Sequence, residues 1–461
     1  MKSEPDTLFS IQLANKPDQS DLIDTTTEGQ QRMDEFIIDG GYPLKGEITP
    51  SGNKNAALPL LAACTLTDEP VILHNVPDIR DVSSMLALLS SLGVEVVQLD
   101  SHTLRIHAKQ VRPADLDPEL CRQIRASILL AGPMVARAGE LKLPPPGGDV
   151  IGRRRVDTHI LALQALGVHA EYNRSEKYFQ FRANQLTGSR ILLDEASVTA
   201  TENAIMAAVT ATGTTFVRNA ASEPHIQELC YFLNSLGARI DHIGSNSLQI
   251  EGVQRLKGGE FTIGPDYLEV VSFIGAAIVT HGEICIRNAC PDYLEMIGII
   301  LKRLGVRWIV DGDDIIVPSD QALIVEPDLG DAIPEISVMP WPAFPTDLMS
   351  IAIVIATQSK GSVLFHDWMY PSRMFFIDKL VNMGAQIVLC DPHRCIVQGP
   401  TTLYGEKMES PDIRAGMSLM IAALSAEGRS VIRNISQIDR GYERVDDKLR
   451  SLGARIERVD G

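Results

Sequence analysis

Residues able to do ionic chemistry crowd into one stretch, Pro144-Pro145-Pro146-Gly147-Gly148-Asp149-Val150-Ile151-Gly152-Arg153-Arg154-Arg155-Val156-Asp157. Three prolines exclude a helix interior or a central strand, and the glycines permit a sharp fold, so the stretch is expected to be a loop. It places one carboxylic acid beside three guanidinium groups. Guanidinium forks match phosphate and carboxylate, so the loop suits a multiply charged anion. The bland alternative, a solvated run of charge, is equally compatible with the loop taken alone.

The elements that position such a loop belong to a long, acidic chain. Its 461 residues carry a net charge of -17, and 45% are hydrophobic. That length predicts two domains rather than one core. The charge argues against a nucleic-acid or anionic-membrane partner, so an anionic substrate would need a local cluster of Arg and Lys. Seven cysteines and ten histidines show neither Cys-x-x-Cys nor a zinc-ligand pattern; reduced, mostly buried thiols in a cytoplasmic protein are expected. Residues 1–33 lack the apolar run of a signal peptide and read as a disordered extension. No later stretch is long and uncharged enough to span a bilayer.

Six segments end an amphipathic pattern with Leu or Met before Gly and continue into an apolar run: at Gly93, Gly167, Gly237, Gly305, Gly384 and Gly453. Successive glycines are 74, 70, 68, 79 and 69 residues apart, which predicts one helix–Gly–strand unit used six times. About 30 residues before each glycine lies a segment apolar on all faces: residues 56–64, 126–136, 204–211, 270–279, 348–356 and 415–423. Such helices are buried, here against their own copies. The longest step contains the Pro-rich residues 325–345, read as an inserted loop. Lys54, Asn55, Arg125, Glu202, Asn203, Glu269, Asp347 and Arg414 fall in the first turns of these helices. Capping or dipole pairing suits Glu202, Glu269 and Asp347. Cations are disfavoured there, so Lys54, Arg125 and Arg414 point to a bound anion.

Longer motifs then give a resemblance. Ser51-Gly52-Asn53-Lys54-Asn55-Ala56-Ala57-Leu58-Pro59, Arg125-Ala126-Ser127, Pro146-Gly147-Gly148 with Gly152, Arg154 with Val156-Asp157, Phe344-Pro345-Thr346-Asp347 and Asp439-Arg440-Gly441-Tyr442-Glu443-Arg444 resemble the UDP-N-acetylglucosamine 1-carboxyvinyltransferase family of enolpyruvyl transferases. The similarity runs from about Phe36 to the C-terminus. It implies an α/β fold of two inside-out domains, each of three repeats with buried helices and outer sheets. The implied division is residues 1–35 as extension, 36–53 with 265–461 as one domain, and 54–264 as the other.

The resemblance also implies a reaction, transfer of enolpyruvyl from phosphoenolpyruvate to the 3-hydroxyl of UDP-N-acetylglucosamine, with phosphate released, at the start of peptidoglycan precursor synthesis. No metal or organic cofactor is implied. Carried over position by position, Asp149 falls at the family's proton-donating cysteine and Asp347 at the carboxylate near the sugar hydroxyl. Lys54, Arg154 and Arg440 fall around the phosphate of phosphoenolpyruvate, and Arg373 and Arg414 at its carboxylate. Arg125, Arg154, Arg155, Val156, Asp157, Thr158, Ser197, Val198 and Met369 match contacts to the UDP-sugar, and Asn55 is counted with the substrate-binding residues.

The chain departs from the family pattern at several places. Asp149 replaces cysteine, which implies insensitivity to fosfomycin, an alkylator of that cysteine; as the acid, Asp149 would need a pKa above the usual value of about 3.9. Arg155 stands at a usual Pro, Glu195 at a position often basic, Pro371-Ser372 at a usual Glu-Asn, and Gln437 at a common His. These departures leave two alternatives open, an enolpyruvyl transferase for another UDP-sugar or nucleotide, and a silent nucleotide-sugar-binding paralogue. Oligomeric state is not legible.

Overall fold

The computed structural model describes residues 34–113, 115–149, 151 and 155–459. The expected N-terminal extension lies outside them, except that Glu35 already begins a strand.

Two hydrophobic cores form. One gathers Phe36, Ile38 and Leu44 with residues from Tyr267 to Ile456; the other runs from Ala56 to Ile263. The two α/β domains built on them are called outer and middle below. Each has apolar helices at its centre. In the outer domain Tyr267–Val279, Met349–Gln358 and Ile413–Ser425 pack on one another. Every residue of Tyr267–Val279 is buried: its apolar residues leave no face to give to water, and its one carboxylate, Glu269, is met by Lys448 Nζ. Lys54–Ala63, Ala131–Ala138 and Val198–Ala208 hold the corresponding places in the middle domain.

Six small sheets cover these helices, five of four strands and one of three. The repeat seen in the sequence is their common plan. Each outer helix ends at one of the six glycines, all at φ between +80° and +102°, a conformation that glycine adopts without strain. In five sheets an edge strand runs parallel to the strand after the buried helix. This revises the reading of residues 325–345 as an inserted loop. Glu335–Ser337 within it pairs in parallel with Gly361–His366 and is the repeat's own edge strand. The second unit also differs, since the six residues Arg125–Leu130 wind as a tight 3-10 helix before Ala131–Ala138. Pro133 has no N–H to continue the ladder, and Asn203 bridges the break, its Oδ1 accepting Gly132 N–H at 2.6 Å and its Nδ2 donating to Ile128 O at 2.9 Å.

The chain passes between the cores twice, side by side. Gly52 and Pro265 form an isolated antiparallel bridge, flanked by Asn53 N–H to Gly264 O and Asp266 N–H to Ser51 O, both 2.8 Å. Lys448 Nζ braces the crossing by reaching Ser51 Oγ at 2.6 Å and Glu269 Oε1 at 2.7 Å. Before the first crossing, Glu35–Asp39 pairs with Arg429–Arg433 and Arg455–Val459, which seats the described N-terminus in the outer domain. Among the described residues no helix is long and apolar enough to cross a membrane.

Candidate active site

The buried helices of both domains direct their N-terminal ends to a common cleft of ≈ 530 Å³. Asn53 caps the first, its Oδ1 accepting from Asn55 N–H at 2.9 Å, and so sets Lys54 at the cleft wall. Lys54 Nζ lies 2.7 Å from Asp81 Oδ2. Arg440, at the end of the turn Ile435–Arg440 of the outer domain, reaches the same carboxylate, Nε to Oδ1, at 2.9 Å. Its Nη1 donates to Asp149 Oδ1 at 2.5 Å and to Gln437 Oε1 at 3.1 Å. Burial opposes the charge on Arg440, yet Asp81 and Asp149 outweigh it and raise its pKa. Two cations and two carboxylates thus meet where the domains face each other.

A second ionic group lies in the outer domain. Asp412 caps Ile413–Ser425, accepting Arg414 N–H at 2.8 Å. Arg414 and Arg373 are 5% and 3% exposed, and a buried cation needs partners. Asp347 supplies them, with Oδ1 at 2.9 Å from Arg373 Nη2 and Oδ2 at 3.6 Å from Arg414 Nε. Arg414 Nη1 also donates to Tyr442 Oη at 3.1 Å. Burial works against both cations, and Asp347 with Asp412 for Arg373, or Tyr442 with Asp347 for Arg414, keeps them charged. Arg373 is among the residues that line the cleft; its Nε and Nη1 are buried and make no hydrogen bond to protein, and Nη1 lies 3.9 Å from Asp412 Oδ1.

The position of these cations at helix starts therefore does not by itself require a bound anion. Protein carboxylates answer Lys54 and Arg414. The capping roles shift as well: the caps are Asn53, Ser197, Asp266 and Asp412. Glu202 lies a turn deeper in its helix, 1% exposed, with burial raising its pKa well above the ordinary range. Glu269 braces the crossing.

Six of the remaining expected residues share this cleft. Asn55, Arg125, Arg155, Ser197, Val198 and Met369 line it; Val156, Asp157 and Thr158 stand behind that lining. Arg125 Nη2 holds Arg155 O at 2.6 Å. Arg155 pairs with Asp194 at 2.7 Å, Asp157 at 3.1 Å and Glu195 at 3.9 Å. Two departures from the family pattern, Arg155 and Glu195, thus face each other. Thr158 Oγ1 donates to Asp194 at 2.7 Å, and Met369 N–H to Asp367 Oδ1 at 3.0 Å. Arg154 lies outside the described residues.

Sequence reasoning missed Asp81, Asp412, Tyr442, Glu223, His225 and Trp341. Tyr442 sat inside a quoted motif, but the others lie on no motif. Glu223 and His225 line the cleft beside Trp341. Burial pushes the Glu223 carboxyl up to about 7 and His225 down to about 4. Among the described residues, no group of three or more His, Cys, Asp or Glu is placed to hold a metal ion.

Comparison with known proteins fits this geometry. The family model for EPSP synthase (3-phosphoshikimate 1-carboxyvinyltransferase) matches residues 38–449. UDP-N-acetylglucosamine 1-carboxyvinyltransferase of Bradyrhizobium diazoefficiens is 55% identical over 92% of this chain and 98% of its own length. The protein of the same name from Treponema denticola is 52% identical, covering 92% and 99%. Among solved structures, the enolpyruvyl transferase NikO from Streptomyces tendae superposes with a TM-score of 0.82 at 23% identity, covering 93% of this chain and 99% of that one. EPSP synthase from Acinetobacter baumannii gives 0.71 at 17%, covering 93% and 100%. Those two likenesses concern the fold; the identities near half of the chain carry the narrower assignment. This chain belongs to the UDP-N-acetylglucosamine 1-carboxyvinyltransferase family of enolpyruvyl transferases.

Proposed function

We propose that this protein transfers the enolpyruvyl group of phosphoenolpyruvate to the 3-hydroxyl of UDP-N-acetylglucosamine, releasing phosphate, as a cytoplasmic enzyme opening peptidoglycan precursor synthesis. The observation that carries the reading is the convergence on one cleft of two carboxylates, Asp149 and Asp347, with the cations Lys54, Arg373, Arg414 and Arg440. The reaction needs that set. The vinyl CH2 gains a proton while the hydroxyl loses one and its oxygen bonds to C2. The tetrahedral adduct then gives up a proton from the new methyl group, and the C2–O bond to phosphate breaks. A general acid, a general base and an anion clamp serve these steps.

Asp149 is assigned as the acid and Asp347 as the base. Lys54, Arg154 and Arg440 hold the phosphate, and Arg373 and Arg414 the carboxylate of phosphoenolpyruvate. Arg373 Nε and Nη1, without protein hydrogen bonds, suit that second role. An ion pair to Arg440 favours ionised Asp149. Phosphate drawing Arg440 away would favour the protonated acid that the first step requires. Asn55, Arg125, residues 155–158, Ser197, Val198 and Met369 hold the UDP-sugar. The domains divide as 36–53 with 265–461, and 54–264.

The test is phosphate release from phosphoenolpyruvate with and without UDP-N-acetylglucosamine, for the wild type and the variants Asp149→Asn and Asp347→Asn. Acceptor-dependent release, lost in both variants by about 10²-fold or more, is expected. Unchanged release in Asp149→Asn would move the acid elsewhere, and release only with another UDP-sugar would change the acceptor. Fosfomycin should leave the protein unmodified by mass spectrometry, for want of a cysteine at position 149.

A further inference from the structure

We propose that Glu443 is a positioning residue that latches the two domains together across the cleft and so delivers Arg440 to the reacting phosphate. The inference rests on the proposed function and adds a residue with no role in it.

Glu443 belongs to the outer domain, while His102 and Asp78, which it meets, belong to the middle one. Oε1 lies 2.7 Å from His102 Nε2, and Oε2 accepts Asp78 N–H at 3.2 Å. The Glu443 side chain is 12% exposed and the His102 side chain facing it 44%, so the acceptor is largely out of water although its partners stand nearer the surface. Asp78 precedes Asp81 by three residues, and Glu443 follows Arg440 by three. Arg440–Asp81 and Glu443–Asp78 are therefore parallel ties between the same two short segments. On the outer side the segment is anchored at Tyr442, whose Oη lies 3.0 Å from Ser272 Oγ and accepts from Arg414 Nη1. Arg440 and Glu443 consequently move as a unit with the outer domain.

His102 is held as firmly on the other side. Its N–H donates to Asp100 Oδ1 at 2.8 Å, and its carbonyl accepts Val76 N–H at 2.9 Å. Ser101 Oγ lies 2.9 Å from its Nδ1. With the serine hydroxyl donating there, a neutral imidazole presents Nε2–H to Glu443, so the latch does not depend on a charged histidine. A hydrogen bond to a charged, part-buried acceptor is among the stronger single contacts. Its effect is to populate the arrangement in which Arg440 reaches Asp81 and Asp149.

Initial rates of phosphate release on the full chain test this, with Glu443→Ala, His102→Phe and His102→Gln. Glu443→Ala should lower kcat/KM for phosphoenolpyruvate about ten-fold or more, with KM for the UDP-sugar within about two-fold because its proposed contacts stay intact. His102→Phe should reproduce part of the loss, and His102→Gln, which keeps a donor, should recover it. Unchanged kcat/KM in Glu443→Ala, or equal losses toward both substrates, overturns the proposal. Should Glu443→Ala not fold, the His102 pair decides alone: equal rates for Phe and Gln overturn it. If the wild type releases no phosphate, the functional reading fails and the latch is judged by the distance between spin labels on the two domains. That distance should lengthen in His102→Phe but not in His102→Gln; no lengthening overturns it.

Discussion

Asp81 takes Lys54 Nζ at 2.7 Å and Arg440 Nε at 2.9 Å on a carboxylate only 4% exposed. Replacing it with Asn keeps the shape and removes the charge that lets two cations sit together. Breaking one side of a buried pair costs about 3–5 kcal/mol; with the cleft admitting water, Asp81→Asn is expected to cost about 2 kcal/mol. Inorganic phosphate should restore much of that, because an anion between Lys54 and Arg440 replaces the missing carboxylate. Thermal melts with and without phosphate check this, and a deficit insensitive to phosphate would sink the idea. Glu223 and His225 give a pH signature. From about pH 4.5 to 7 the folded state keeps a proton on Glu223 that the unfolded chain releases, so this contribution is lost as pH rises through 7. From about pH 4 to 6.5 the unfolded chain protonates His225 while the folded one does not, so that contribution is lost as pH falls. The two oppose each other in the wild type. Glu223→Gln should therefore gain stability relative to wild type from pH 5 to pH 8, by on the order of 2 kcal/mol in urea unfolding; parallel curves would refute the assignment. The contrast with Asp347 shows what sequence can carry. Asp347 stands inside a long motif, whereas Asp81, Glu223 and His225 lie in none and acquire meaning only from partners such as Arg440, Trp341 and Asp347 that the fold brings to them.

At the scale of elements the sixfold repeat was legible because glycine has one backbone job at each site. Gly237 has φ +99° and nothing within 4 Å of where a Cβ would stand. Gly237→Ala should then cost only the left-handed conformation, about 1 kcal/mol. Gly52, at the first crossing, is constrained by space instead: a Cβ would lie 1.8 Å from Asn75 O. Gly52→Ala should be far more damaging, about 3 kcal/mol or more, since backbone must move. Equal chemical denaturation midpoints for the two variants would contradict this distinction. The parallel edge strands were less legible. Glu335–Ser337 is three residues long in a Pro-rich stretch, so its periodicity could not be separated from loop; only its pairing with Gly361–His366 identifies it. The Arg125–Leu130 turn was hidden for the opposite reason, because its residues are apolar enough to read as ordinary helix.

Across the whole molecule the two cores are separate apolar sets, and the contacts described between them are polar. Arg440 with Asp81 and Asp149, Glu443 with His102 and Asp78, Ser222 Oγ with Trp341 O at 3.4 Å, and Ser372 N–H with Ile151 O at 3.3 Å join the domains. The number of domains could be read from six repeats, but these ties could not, since no local pattern records which surfaces meet. They also set how the protein unfolds. Apolar burial makes each core cooperative by itself, while ionic ties between domains weaken as salt screens them. Calorimetry without ligand at about 0.5 M salt should then resolve two transitions. Ligands that bridge the cleft oppose this by binding only the assembled form, which stabilises both domains through one equilibrium. With UDP-N-acetylglucosamine and phosphate present, the two transitions should merge and move upward. A single transition at every salt concentration, unmoved by these ligands, would mean that the cores are coupled by something other than the contacts across the cleft.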